Sequence, residues 1–301
     1  MLPDPAHNPF LKAILEDVED DAPRLVYADW LEERGDPRGE FIRVQCQLDK
    51  LPANDTARSS LLEQEQLLVR EHGADWLADL PPFGEQLKWE GFHRGFPVAT
   101  IAFWTGELNL DQDSNRFAQA NTRKSFEHFV QLARMFNWFV NQGNPTCMRL
   151  DAAVDSYRAE DCALGFLERV GGSPHLAYVI KVNTTNTRLT NNGVKALATS
   201  AHFRTHLRLL DLTCGYDSGA VEPNDEAVEA LAGSARMTYL RELILDECWY
   251  ITDRGAHALA ASPNLGQLTR LVVRGWSDSM SKEEEQALQA RFGDRAIVNW
   301  G

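Results

Sequence analysis

A hexapeptide with leucine or another small or aliphatic residue at its first, fourth and sixth positions recurs along the C-terminal half of the chain. It reads "LRLLDL" (Leu207, Leu210, Leu212), "LRELIL" (Leu240, Leu243, Leu245) and "LTRLVV" (Leu268, Leu271, Val273). "AYVIKV" is a weaker version with Ala177, Ile180 and Val182. Upstream, "CMRLDA" (Cys147, Leu150, Ala152) and "VATIAF" (Val98, Ile101, Phe103) fit the same frame. The segments between also repeat: "LTNNGVKALATSAHF", "EPNDEAVEALAGSARM" and "ITDRGAHALAASPNL" each join a Thr, Asn or Asp cap to an Ala-Leu-Ala core. Leu167, Leu197, Leu231, Leu259 and Leu288 take the same place in successive returns. The last strand position steps from Ala152 to Val182, Leu212, Leu245 and Val273, intervals of 30, 30, 33 and 28 residues.

A single strand and helix cannot bury both of their apolar faces, whereas stacked units share one continuous core. The expected fold is therefore α/β: a short leucine-rich-repeat solenoid, its parallel β-sheet on the concave side and its helices on the convex side, with an all-α N-terminal cap. "RAIVNWG" (residues 295–301) is expected to add a closing strand at the other end. The period breaks once, where Phe103 and Ala152 stand 49 residues apart. There "SFEHFVQLARMFNWFV" places Phe126, Phe129, Val130, Leu132, Ala133, Phe136, Phe139 and Val140 at helical spacing, after the polar "GELNLDQDSNRFAQAN". The expected division is a helical domain over 1–80 and a repeat domain over 81–301 with an insertion at about 105–146. Insertions of this kind project from one face and often carry function.

Residues 20–45, "DDAPRLVYADWLEERGDPRGEFIRVQ", read as punctuated helices. Asn8-Pro9 opens a first helix, and Asp20 or Asp21 caps a second with Pro23 in its first turn. Leu25, Ala28 and Leu31 share one face of that helix, which Val26 and Trp30 widen. Gly35 suits its C-terminus, and Asp36-Pro37 starts a third helix carrying Phe41, Val44, Gln45 and Leu48. A fourth begins at Asn54 or Asp55, ends near Gly73, and carries Leu61, Leu62, Gln64, Leu68 and Val69. Asp21, Asp29 and Asp36 are thereby assigned to helix punctuation rather than to metal binding or catalysis. The quoted stretch resembles the repeat-companion domain of planctomycete and myxobacterial proteins. The resemblance covers the first 50 residues most closely and reaches about residue 95 through "WLADLPPF" and "WEGFHRGF". It implies a bacterial protein whose helical domain precedes repeats, here of the leucine-rich, ribonuclease-inhibitor-like kind, and it implies no chemistry. Nothing between Trp104 and Thr146 belongs to it.

Charge narrows the partners. Lys and Arg number 30 against 44 Asp and Glu, a net charge of −14. Binding to nucleic acid or anionic lipid draws on Lys and Arg, so neither a nucleic acid nor a membrane is expected as partner. No run approaches a membrane span, and "MLPDPAHNPF" has no positive n-region followed by an apolar one. The five cysteines, with no CxxC among them, are expected as reduced thiols in a cytoplasmic protein. "DQDSN" offers Asp111, Asp113 and Asn115 at calcium-loop spacing, but Arg116 replaces the required Gly and Thr122 the required Glu. "HFRTH" spaces His202 and His206 by four without the Glu of a zinc protease helix. Cys248 is expected to satisfy backbone groups of a turn, and Cys147 and Cys162 to lie in the core. "VGGSPH" (residues 170–175) reads as a helix end rather than a phosphate loop. No cofactor, metal or catalytic residue is expected, and the chain is read as a non-enzyme.

On such strands the residues flanking the middle aliphatic position, and the one after the last, point away from the core. They form three rows. The first holds Thr100, Arg149, Val179, Leu209, Glu242 and Arg270; the second Ala102, Asp151, Lys181, Asp211, Ile244 and Val272; the third Trp104, Ala153, Asn183, Thr213, Asp246 and Arg274. Charges of both signs among apolar groups are the composition of a protein-binding surface, with Trp and Arg as frequent anchors. Trp104, Arg149, Asp151, Lys181, Asp211, Glu242, Ile244, Asp246, Arg270 and Arg274 are the candidate partner contacts, and Trp249 and Tyr250 extend the edge. The expected function is a protein–protein interaction module, alone or as a subunit of a larger assembly. The alternatives are an inhibitor or regulatory subunit of one enzyme, an enzyme whose site the insertion builds around Trp104, Asp111, Asp113, His128 and Arg149, and a sheet whose charges pair with one another and bind nothing.

Overall fold

The computed structural model describes residues 8–52, 55–78, 80, 87–104, 130–134, 136, 140, 147–153, 166–184, 189–203, 206–214, 223–275 and 280–300. The chain divides into two compact units, residues 1–101 with 135–148 and residues 102–134 with 149–301.

In the first unit, helices α1 (Asn8–Glu16), α2 (Ala22–Glu32), α3 (Arg38–Lys50) and α4 (Arg58–Ala78) precede strands β1 (Leu87–His93) and β2 (Phe96–Trp104), which pair antiparallel. Of the two aspartates that could open α2, Asp20 accepts the Ala22 amide at 2.9 Å. Asp36 caps α3 by accepting the Arg38 amide at 2.9 Å, and Gly35 takes the left-handed conformation that ends α2 (φ 71°). Helix α4 runs on through Gly73 to Ala78 because Trp76 has a place to pack. Its ring lies 4.8 Å from that of Phe41 and edge-on to that of Phe92. Leu11, Ile14, Tyr27, Ala28, Leu31, Ile42, Cys46 and Phe96 form one buried cluster, and Phe41, Val44, Leu48 and Leu68 form another. Burying each large side chain stabilises the unit by roughly 1.5–3 kcal/mol.

A buried ionic knot ties the hairpin to the helices. Arg94 and Gly95 form its turn with φ of 48° and 87°. A side chain on Gly95 would collide with Ile42, its Cβ lying 2.1 Å from that residue's Cγ1. The Arg94 guanidinium, only 2% exposed, donates to Glu19 Oε2 at 2.7 Å, Asp21 Oδ1 at 3.0 Å and the Glu19 carbonyl at 3.0 Å, with Asp49 at 3.9 Å. Lys50 reaches the other oxygen of Asp21 at 3.0 Å. Burial works against the charged guanidinium, but Glu19, Asp49 and Asp21 together hold Arg94 protonated beyond its ordinary range.

The second unit is mixed α/β. Its described elements are β3 (Cys147–Ala153), α5 (Phe166–Gly171), β4 (Val179–Asn183), α6 (Asn191–Thr199), β5 (Leu209–Asp211), α7 (Asp225–Gly233), β6 (Glu242–Leu245), α8 (Asp253–Ala261), β7 (Arg270–Gly275), α9 (Lys282–Phe292) and β8 (Ala296–Trp300). Strands β4 to β8 form a five-stranded parallel sheet in sequence order. Alternate residues Leu210, Leu212, Leu243, Leu245, Leu271 and Val273 are fully buried, as are Val194, Leu197, Leu231, Leu259 and Leu288 of the helices. Within "RAIVNWG" the strand expected there forms over Ala296–Trp300, parallel to β7.

Hydrogen bonds between successive units explain why the return segments repeat. Thr190, Asn224, Thr252 and Ser281 cap their own helices. The next residue in three of those segments then receives the cap residue of the following unit. Asn191 Oδ1 accepts the Asn224 amide at 2.9 Å, Asp225 Oδ1 the Thr252 amide at 2.8 Å, and Asp253 Oδ1 the Ser281 amide at 2.5 Å. At the opposite helix ends Ser234 donates to the Ala198 carbonyl at 2.5 Å and Ser262 to that of Ala232 at 2.6 Å. In the last described unit Arg291 takes over, donating to the carbonyls of Ala260 and Ser262. Each link satisfies a backbone group that a helix end leaves open.

Candidate partner-binding face

Strand pairing sets the true rows. The expected register holds from β5 to β7: Leu209 lies beside Glu242 and Glu242 beside Arg270, while Asp211 lies beside Ile244 and Ile244 beside Val272. Strand β4 is displaced by two residues from the sequence alignment, so that Lys181 pairs with Leu209 and Asn183 with Asp211. A slip of two keeps every side chain on its original face, so the apolar pattern is satisfied equally well by either register. The first row becomes Lys181, Leu209, Glu242 and Arg270. The second becomes Asn183, Asp211, Ile244, Val272 and Ile297, since β8 places Ile297 beside Val272.

Exposure separates the members. Arg270 and Arg274 are exposed, and Lys181, Leu209, Asp211, Thr213, Glu242 and Asp246 are half-buried. Val179, Ile244 and Val272 are buried, at 0%, 9% and 1% exposure. The apolar groups expected to be displayed are therefore mostly buried, with Leu209 half-buried; Ile297 is exposed at 48%. Ile297 was not among the sequence candidates; its signal was the alternation of "AIVNW", legible only once β8 is aligned to β7. Tyr250, at 49%, is exposed beyond the end of β6, and Trp249 is half-buried. The side chains of Trp104, Arg149 and Asp151 lie outside the described residues, as do Asp111, Asp113, Asn115, His128 and Cys162.

Part of the charge on this face is already paired. Arg270 approaches Glu242 at 3.5 Å, and Arg274 donates to Asp246. Asp211 accepts from the Thr213 amide at 3.0 Å and its hydroxyl at 2.6 Å. Among the described residues Lys181 has no ion-pair partner. Beside Asp246, Glu247 is held above the usual carboxylate range by partial burial and then by the Asp246 charge, with Arg274 opposing. Glu247 also takes a left-handed backbone conformation (φ 56°) at the turn after β6.

His202 is exposed, and His206 stacks on Tyr239 at 3.9 Å. Cys248 is buried, with the backbone carbonyls of Leu212 and Asp246 both within reach of its thiol, as its turn position implied. Among the described residues no three His, Cys, Asp or Glu side chains are gathered to hold a metal ion, and no helix is long and apolar enough to cross a membrane. No family model matches the chain, and no curated protein or solved structure does.

Proposed function

We propose that the chain is a protein-interaction module that holds a partner protein on the face of the parallel sheet lined by Lys181, Leu209, Glu242 and Arg270. In this reading the stacked strand–helix units are a short leucine-rich solenoid, the sheet is its concave side, and residues 1–80 are a repeat-companion domain acting as its helical cap. The observation that carries it is the character of that row. Two cations and a carboxylate stand in one row with a half-buried leucine, on strands whose Val179, Ile244 and Val272 are buried. Charged groups around an apolar one are the composition of an interface with an apolar centre and a polar rim. The net charge of −14 favours a protein over a nucleic acid.

The test is capture from lysate by the wild-type chain beside a Lys181→Glu, Arg270→Glu variant with an unchanged circular dichroism spectrum. Loss of a protein captured by wild type supports the assignment. Equal capture by both places the binding surface elsewhere and refutes the row as its centre.

A further inference from the structure

We propose that Cys214 and Cys248 form a redox-sensitive thiol pair, at which a peroxide closes a disulfide between adjacent units of the parallel sheet. The two sulfurs lie 3.1 Å apart, and both residues are buried, at 1% and 0% exposure. Cys214 and Cys248 also converge on one acceptor, the Leu212 carbonyl, at 3.5 and 3.4 Å. Each is a thiol rather than half of an existing bridge.

The backbone brings them together through an irregularity. Cys214 is two residues past Leu212, whereas Cys248 is three past Leu245. The Leu212 amide donates to the Ile244 carbonyl and the Cys214 amide to that of Asp246, both at 2.9 Å, so the strands stay in step to this point. The left-handed turn at Glu247 then absorbs the additional residue and returns Cys248 beside Cys214. With the sulfurs already 3.1 Å apart, closure shortens that separation to the roughly 2.05 Å of an S–S bond.

Hydrogen peroxide, small enough to reach a buried thiol during local opening, supplies the oxidant. One sulfur attacks a peroxide oxygen as the O–O bond breaks, giving a sulfenic acid and one water. The second sulfur attacks that sulfenic sulfur; the S–S bond forms, the S–O bond breaks, and the hydroxyl leaves with the second thiol's proton as another water. Two thiols and one peroxide become one disulfide and two waters, the sulfurs losing two electrons and the peroxide gaining them. A lone thiol has no such exit, and Cys46, buried in the other unit, provides the internal comparison.

The experiment treats the full chain with hydrogen peroxide, stops the reaction with catalase, unfolds the protein in N-ethylmaleimide and maps its proteolytic peptides by mass spectrometry. The expected product is the Cys214 peptide joined to the Cys248 peptide, lighter by two hydrogens and released by dithiothreitol, with Cys46 recovered as its maleimide adduct. Recovery of Cys214 and Cys248 as separate adducts overturns the proposal, and so does separate sulfinic acid formation. Joining of either to Cys46 as often as to each other overturns it too.

Discussion

Replacing Arg94 by methionine isolates the ionic knot from the packing around it. Methionine retains much of the aliphatic stem and removes the guanidinium. The carboxylates left behind differ in their options. Glu19 and Asp49, each 19% exposed at the side chain, have a short path to water, whereas Asp21 is 7% exposed. Asp21 keeps Lys50 at 3.0 Å, but that ammonium is 63% exposed and compensates only partly. Breaking a buried pair by removing one partner costs about 3–5 kcal/mol, and these residual routes place the loss near the lower end, about 3 kcal/mol.

Hydrogen exchange read by mass spectrometry reports that loss where it occurs. Amides of α2 and α3 that exchange through opening of the helical unit are expected to exchange about a hundredfold faster in Arg94→Met, since 1.4 kcal/mol is tenfold. Amides of β6 serve as the reference within the same chain. Arg94→Lys keeps the charge but not the fork and is expected to fall between. Adding Asp21→Asn to Arg94→Met should recover part of the loss, because the neutral amide no longer needs a cation. A change of less than about threefold in α2 and α3 would show that the knot contributes nothing net, with burial cancelling attraction.

The links between units make a second test. Asp225 accepts three hydrogen bonds, from the Thr252 amide at 2.8 Å, the Thr252 hydroxyl at 2.6 Å and the Gly255 amide at 3.0 Å. Asp225→Ala is expected to lower urea stability by about 1–2 kcal/mol, and an unchanged midpoint would deny the ladder a role. Gly255→Ala places a Cβ 2.6 Å from Asp225 Oδ1, so it should destabilise the wild type yet be milder when Asp225 is already alanine; strict additivity would count against that contact. Burial, opposed by Arg38 and assisted by Asp36, lifts the Tyr27 phenol from near 10 to about 12. The unfolded chain therefore loses this proton first. The Tyr27 contribution to stability is full below about pH 10 and falls as pH rises toward 12, by roughly 3 kcal/mol in all. A difference ultraviolet titration against Tyr27→Phe reads the phenol directly, and a midpoint near its ordinary value would refute the assignment.

What the sequence made legible follows from which interactions are local. The caps Thr190, Asn224, Thr252 and Ser281, and the core leucines from Leu197 to Leu288, act within one helix or at a fixed step to the next, so they write a period into the chain. Asp36 and Gly35 are legible for the same reason. Asp21 was assigned to a cap because its chemistry suits one; its partner Arg94 lies 73 residues away and leaves no periodic trace. The two-residue displacement of β4 was hidden because side-chain parity, the only information in an aliphatic pattern, is blind to it. The burial of Val179, Ile244 and Val272 was hidden too, since facing away from the leucines was taken to mean facing water.

That displacement changes how the proposed face would work. In the sequence alignment Lys181 is the neighbour of Asp211, a pair that would neutralise itself. In the structure Lys181 stands beside Leu209, and Asp211 turns to Thr213. The sheet thus divides its charge: Arg270–Glu242 and Arg274–Asp246 pair toward β7, and among the described residues Lys181 at β4 has no ion pair. Each pair sets an exposed arginine on a half-buried carboxylate, and ion pairs open to water contribute about 1 kcal/mol, so a partner exchanging them for its own groups loses little. Such pairs also hold their long side chains in place, which lowers the ordering cost of binding. Lys181 then supplies the asymmetry: a partner carboxylate placed over Leu209 reaches it only in one orientation along the row. On this reading the row's paired end contributes a preorganised rim, while Lys181 at the other end selects the direction in which a partner docks.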